Sequence, residues 1–335
     1  MKGVLANIIL DFSGCDDFIK LCKNKTILYR DVEKLIESPA YKNTIKLIGH
    51  NLGISDKNKW IETFCAGLDC RGISIKEELS DLQLIWAKHI KEARSRIEDI
   101  YILKTRIESV VNNRKFIEIA EKYIPMGITL NNLKVTTLIF APNALGTEGI
   151  IMDALFMDGY SEDEITKILA HELHHIFRAK VESNYTWKEE HGDIDQALYW
   201  FESEGIADLC NFKETSKIYE KYGYAKKGEL ENTLKNMKSH INIIDRIMLL
   251  SISKKNNSRE LLDYLFDNVK FHSIGFFMAK TIEEVLGVEV IRAVVGDPIA
   301  FINMYQKACK LDADRNEYAF SYNLIDAINN KVIYK

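Results

Sequence analysis

Residues 170–177 read AHELHHIF, with three histidines and one glutamate inside five consecutive positions. On a helix, which turns about 100° per residue, His171 and His175 lie about 40° apart and one turn apart in height, so two imidazoles reach one metal ion. Glu172 projects between that pair and the apolar side of the same helix. It is too far round to ligate alongside both histidines and is placed to reach a metal-bound water. This is the logic of H-E-x-x-H, in which two neutral histidines bind Zn²⁺ and the glutamate is the general base. His174 points about 100° away from His175 and falls outside the donor set, as a residue that supports a ligand or faces solvent.

Two histidines leave a tetrahedral ion short of protein donors, and the segment IDQALYWFESEGIADLCNF supplies candidates. Its spacing through Ile194, Leu198, Phe201 and Leu209 predicts a helix. Glu204 and Asp208 stand at i and i+4 on one face, so one can bind zinc while the other accepts the distal N–H of a ligating histidine and fixes its tautomer. Glu202 is the rival ligand, but its i+4 residue is Ile206, which can support nothing.

The elements that must hold these groups are legible upstream. Ser161 followed by Glu164 is a capping box that starts a helix at about residue 161 and carries it through the motif. Ile165, Leu169, Leu173 and Ile176 form its apolar face. Before it, KVTTLIFA (134–141) and GIIMDALFMDG (149–159) read as two strands joined by turn residues. Up to about residue 130 the pattern is helical. Its clearest stretch runs from residue 74 to 110, one long helix or two end to end, with Leu82, Ile85, Trp86, His89, Ala93, Ile97, Ile100, Leu103, Ile107 and Val110 on one stripe. His89 on that stripe reads as a satisfied core histidine. The expected fold is α+β and predominantly helical, with a small sheet ahead of the active-site helix. A helical region over 1–130, which can pack as one body with the rest, precedes a catalytic region over 131–335.

Composition narrows the partners. The chain has 335 residues, 47% hydrophobic and 28% charged, with four prolines, a soluble, helix-rich profile. A net charge of -4 without long single-sign runs gives no footprint for nucleic acid or an anionic membrane. The apolar run ahead of Asp11 is too short for a signal-peptide core and no segment suits a membrane span, so the expected location is cytoplasmic. Cys15, Cys22, Cys65, Cys70, Cys210 and Cys309 include no C-x-x-C pair and read mostly as buried small hydrophobes in a reducing compartment.

HELHH followed by Glu204 and Asp208 resembles the gluzincins, the thermolysin-like branch of the zincin metallopeptidases. More narrowly the chain is similar to bacterial zinc-dependent peptidase families, through SPAY (38–41), HSIGFFMAKTIEEVLG (272–287) and DPIAFINMYQKA (297–308). The resemblance implies a zincin-like region with one zinc per chain, held by His171, His175 and Glu204. Glu172 would be the catalytic base and Asp208 the partner of a ligand. It also makes His272 the first candidate to stabilise the tetrahedral oxyanion, a task worth roughly 3 kcal/mol, with Tyr199, Tyr222 and Tyr224 as rivals. The interval from His175 to Glu204 is longer than the thermolysin pattern, and the glycine and third histidine of the metzincins are absent. The expected substrate is a peptide or protein, which can add as a strand along 136–143 or 149–157. A zinc-binding regulatory protein without turnover, or a hydrolase of a non-peptide amide, are the alternatives.

Overall fold

The computed structural model describes residues 5–49, 54–71, 79–181, 185–187, 192–254 and 259–334. The chain divides into two compact units, residues 1–117 with 129–176, and residues 118–128 with 177–335. Among the described residues, no helix is long and apolar enough to cross a membrane.

In the first unit a sheet is built from β1 (Leu5–Asp11), β2 (Leu130–Leu138), β3 (Ala144–Gly146) and β4 (Ile150–Asp153), in the order β1-β2-β4-β3. β1, β2 and β4 run parallel, and β3 is antiparallel to β4. Parallel neighbours need a crossover rather than a tight turn. Between β1 and β2 the chain forms α1 (Ser13–Cys22), α2 (Tyr29–Glu37), α3 (Pro39–Ile48), α4 (Lys57–Gly67), α5 (Asp81–Ser95), α6 (Ile97–Asn113) and α7 (Lys115–Ala120). The long stripe is two helices, broken at Arg96, where φ is -123° and ψ is 36°. Residues 74–78 of that stretch lie outside the described residues. The core joins Phe18, Trp60, Phe64 and Trp86 to Leu138, Phe140 and Ile151, with the two indoles stacked 5.1 Å apart.

The structure differs from the sequence pattern in three places. The first 130 residues are not all helical, because β1 pairs with β2 from Leu5–Leu130 to Asp11–Thr136. As an edge strand it leaves Asn7 and Ile9 exposed, so it lacks the continuous apolar signature of an inner strand. The turn segment between the expected strands contains β3, which leaves β2 and β4 as inner strands with neighbours on both sides. β4 stops at Asp153 because the carboxylate of that residue turns the chain, accepting the N–H groups of Phe140 (2.7 Å) and Phe156 (2.9 Å). His89 lies 2.9 Å from the same carboxylate and is buried, as its place on the apolar stripe predicts.

Helix α8 (Glu162–Arg178) follows β4, and its last two residues are counted with the second unit. Its capping box is present: Ser161 N–H donates to Glu164 (2.7 Å), and Glu164 N–H donates to Ser161 Oγ (3.2 Å). Ile165, Leu169, Leu173 and Ile176 are buried, as are Ile168, Ala170 and Phe177, so more of the helix is enclosed than a single apolar face. β3 lies against it at Gly146, where an added Cβ would sit 2.0 Å from the carbonyl oxygen of Glu172.

Among the described residues, the second unit is helical apart from one antiparallel pair, β5 (Tyr185–Trp187) with β6 (Val332–Tyr334). Its helices are α9 (Gly192–Ala207), α10 (Phe212–Lys221), α11 (Glu229–Lys235), α12 (Met237–Lys254), α13 (Glu260–Phe266), α14 (Lys270–Leu286), α15 (Val288–Val294), α16 (Pro298–Leu311) and α17 (Tyr322–Lys331). α9 and α14 cross at two glycines: a Cβ on Gly205 would lie 2.3 Å from the carbonyl carbon and oxygen of Gly275. Backbones this close exclude every side chain at the crossing.

Gly146→Ala should therefore destabilise the protein by at least ~2 kcal/mol, because backbone rather than a flexible side-chain tip must move. Gly192→Ala, where an added Cβ meets nothing within 4 Å, should be neutral or mildly stabilising in its helix. Urea denaturation of the two variants checks the contrast.

Candidate metal centre

α8 carries the histidine pair. The Nε2 atoms of His171 and His175 are 3.0 Å apart, with ring centroids at 4.7 Å and ring planes 77° apart. Two imidazoles sharing a tetrahedral zinc at about 2.0–2.1 Å place their nitrogens roughly 3.3 Å apart, so the pair converges as such ligands do. His171 and Glu172 are buried and His175 is partly exposed. His174 is fully buried, which removes the solvent-facing reading, and its ring centroid is 6.1 Å from that of His175.

α9 carries the carboxylates. Glu204 and Asp208 are both buried, and Asp208 directly follows the last helical residue, its N–H donating to the Glu204 carbonyl at 2.8 Å. Asp208 is held on two sides: Thr215 Oγ1 donates to Oδ1 at 2.8 Å, and His272 Nδ1 lies 2.7 Å from Oδ2. His272, on the first turn of α14, is buried, with Nδ1 also 3.8 Å from Glu204 and Nε2 2.9 Å from the Tyr219 hydroxyl. An Asp208–His272–Tyr219 chain thus runs beside Glu204. The Gly205–Gly275 crossing creates it, because α9 and α14 must touch for these side chains to meet. Burial, followed by the nearby Asp208 charge, pushes the Cys210 thiol upward, so Cys210 stays a neutral thiol.

Glu202, the rival ligand, is engaged elsewhere. It is fully buried; Oε2 accepts from Arg178 Nε at 2.7 Å and pairs with the same guanidinium through a second nitrogen, while Oε1 accepts the Gly296 N–H at 2.8 Å. The guanidinium also lies 4.3 Å over the Tyr199 ring. Tyr224 packs its ring against Tyr219 at 5.8 Å, and Tyr222 lies beside Lys221. Thr215 and Tyr219, missing from the sequence reading, sit in KETSKIYEKYGY, whose pattern carries no motif. Only the packing of α10 beside α14 exposes their part.

Among the described residues, one nitrogen from each of His171 and His175 and one oxygen from Glu204 lie within 4.8 Å of one another. Two imidazoles and a carboxylate suit zinc and leave a coordination position for water or substrate.

The molecule is thus a predominantly helical α+β protein with a His/His/Glu donor set of the kind zinc hydrolases use. The chain belongs to the family described as "Putative zinc dependent peptidase (DUF5700)", whose model matches residues 32–314. Neither the curated proteins nor the solved structures contain a match.

Removing Glu202 should be costly, because the buried bonds it accepts from the Arg178 guanidinium and the Gly296 N–H are lost. Glu202→Ala should lose about 3–5 kcal/mol, which chemical denaturation at neutral pH measures.

Proposed function

We propose that this chain is a gluzincin-type peptidase in which His171, His175 and Glu204 hold one zinc ion and Glu172 is the general base. The observation that carries the reading is the convergence of those three donors, with Glu172 next to His171 on the same helix. Family membership supports zinc-dependent peptide hydrolysis at the coarser level. Zinc bound there would lower the pKa of a bound water and polarise the scissile carbonyl.

The chain's own groups account for the rest. Glu172 accepts the proton of the attacking water on its carboxylate and returns it to the leaving nitrogen. Burial of its helix neighbours and the seating of Gly146 against its carbonyl fix where that carboxylate starts. Asp208 holds His272 through Nδ1, so Nε2 is the atom turned to the Tyr219 hydroxyl. We assign His272 the task of orienting the Tyr219 hydroxyl, the donor we place at the oxyanion, a contribution of about 3–4 kcal/mol when a donor is preorganised.

A peptide substrate is favoured by the sheet. β3 is one of its two edge strands, the one next to the helix backbone at Glu172. An extended peptide can add there through main-chain hydrogen bonds. Residues 136–138 and 150–153 lie on inner strands, which moves the candidate edge to Ala144–Gly146.

Glu172→Gln should retain the metal yet cleave a peptide library about 10²–10⁴-fold more slowly, the usual range for loss of a general base. Wild-type cleavage rates in a metal-loaded Glu172→Gln protein would remove the assignment.

A further inference from the structure

α4 ends in a left-handed cap whose geometry brings two cysteines together. Leu68 N–H donates to the Phe64 carbonyl at 2.8 Å, Asp69 takes φ of 51°, and Cys70 N–H donates back to the Cys65 carbonyl at 3.0 Å. This six-residue closure is the Schellman arrangement, in which the residue after the left-handed position packs its side chain against the residue five earlier. Ordinarily that contact is between two apolar residues. Here both are cysteines, and the Cys70 N–H bond to the Cys65 carbonyl holds their backbones together.

With N and O 3.0 Å apart, standard bond lengths keep the two Cα atoms within about 7 Å, the limit for a disulfide without backbone movement. The surroundings differ from those of the other thiols. The Arg94 guanidinium donates to the Leu68 carbonyl at the end of the same helix, and Cys70 is only partly buried, so small reagents reach it. Its contact with Cys65 and, against burial, the Arg94 charge hold the Cys70 thiol below its ordinary value, while the same contact, followed by burial, raises that of Cys65. Burial instead pushes Cys22 up to about 12 and Cys309 up to about 11, and raises Cys15 and Cys210 as well.

We propose that Cys65 and Cys70 form a redox-active dithiol, with Cys70 the attacking sulfur and Cys65 the resolving one, oxidised by peroxides to a reversible disulfide that closes the α4 cap. The Cys70 thiolate attacks one oxygen of hydrogen peroxide, the O–O bond breaks, and hydroxide leaves. Cys70 is then a sulfenic acid. The Cys65 sulfur attacks the Cys70 sulfur; an S–S bond forms, the S–O bond breaks, and the oxygen departs as water. Overall two thiols lose two electrons and two protons, and the peroxide is reduced to two waters. The pair is separate from the zinc reading and does not depend on it.

The test uses the full folded chain treated with hydrogen peroxide, then alkylated and digested with trypsin. Residues 60–71 form one tryptic peptide carrying both cysteines. It should appear two hydrogens lighter and unalkylated, and dithiothreitol should restore alkylation at both positions. In Cys65→Ser, Cys70 should instead accumulate as a sulfenic acid that dimedone labels. Peroxide-treated protein in which both cysteines still alkylate, or in which Cys70 is overoxidised without a link, would overturn the proposal. So would dimedone labelling of another cysteine in preference to Cys70.

Discussion

Backbone contact without side chains is the constraint on which the site depends. Where α9 crosses α14, a methyl group on Gly205 would overlap the main chain of Gly275, and one on Gly275 would lie 2.6 Å from the Phe201 carbonyl oxygen. The consequence reaches one residue to one side and three to the other. Glu204 and Asp208 come up beside His272, and Asp208 can hold a ring nitrogen at 2.7 Å. Gly146 repeats the device in the first unit, where β3 touches the main chain of Glu172. In both places a small residue is needed less for its freedom of φ than because nothing larger fits.

Buried charge is the second theme, and it separates structural from functional carboxylates. Glu202 and Glu204 are two residues apart on one helix and both buried, but Glu202 accepts from Arg178 and from the Gly296 N–H. A buried carboxylate so bound is committed to holding segments together. Asp153 has the same role in the first unit, collecting two backbone N–H groups and His89 at the end of β4. Glu204 has different neighbours: one of its oxygens lies within 4.8 Å of a nitrogen of each of His171 and His175.

Much of this was legible in the residues, wherever the information is local. Capping by Ser161 and Glu164, the apolar face of α8 and the convergence of His171 and His175 all follow from helical spacing. The predominantly helical α+β class followed from the same periodicities. What escaped depends on contacts distant in the chain. β1 is short and exposed along an edge, and its partner lies beyond seven helices. β3 has three residues among turn formers. Thr215 and Tyr219 belong to the site's surroundings only because α10 packs beside α14, and nothing in KETSKIYEKYGY announces it. The Cys65–Cys70 pair was hidden for a similar reason, since a spacing of five is uninformative until a left-handed Asp69 folds the helix end back on itself.

Zinc content of the purified full chain measures the donor assignment most directly. About one zinc per chain is expected in the wild type, as a three-ligand site requires, falling to trace levels in His171→Ala, His175→Ala and Glu204→Ala while the helical circular dichroism signal is retained. Stoichiometric zinc in a folded Glu204→Ala protein, or wild-type protein that binds no zinc when zinc is supplied, would contradict it.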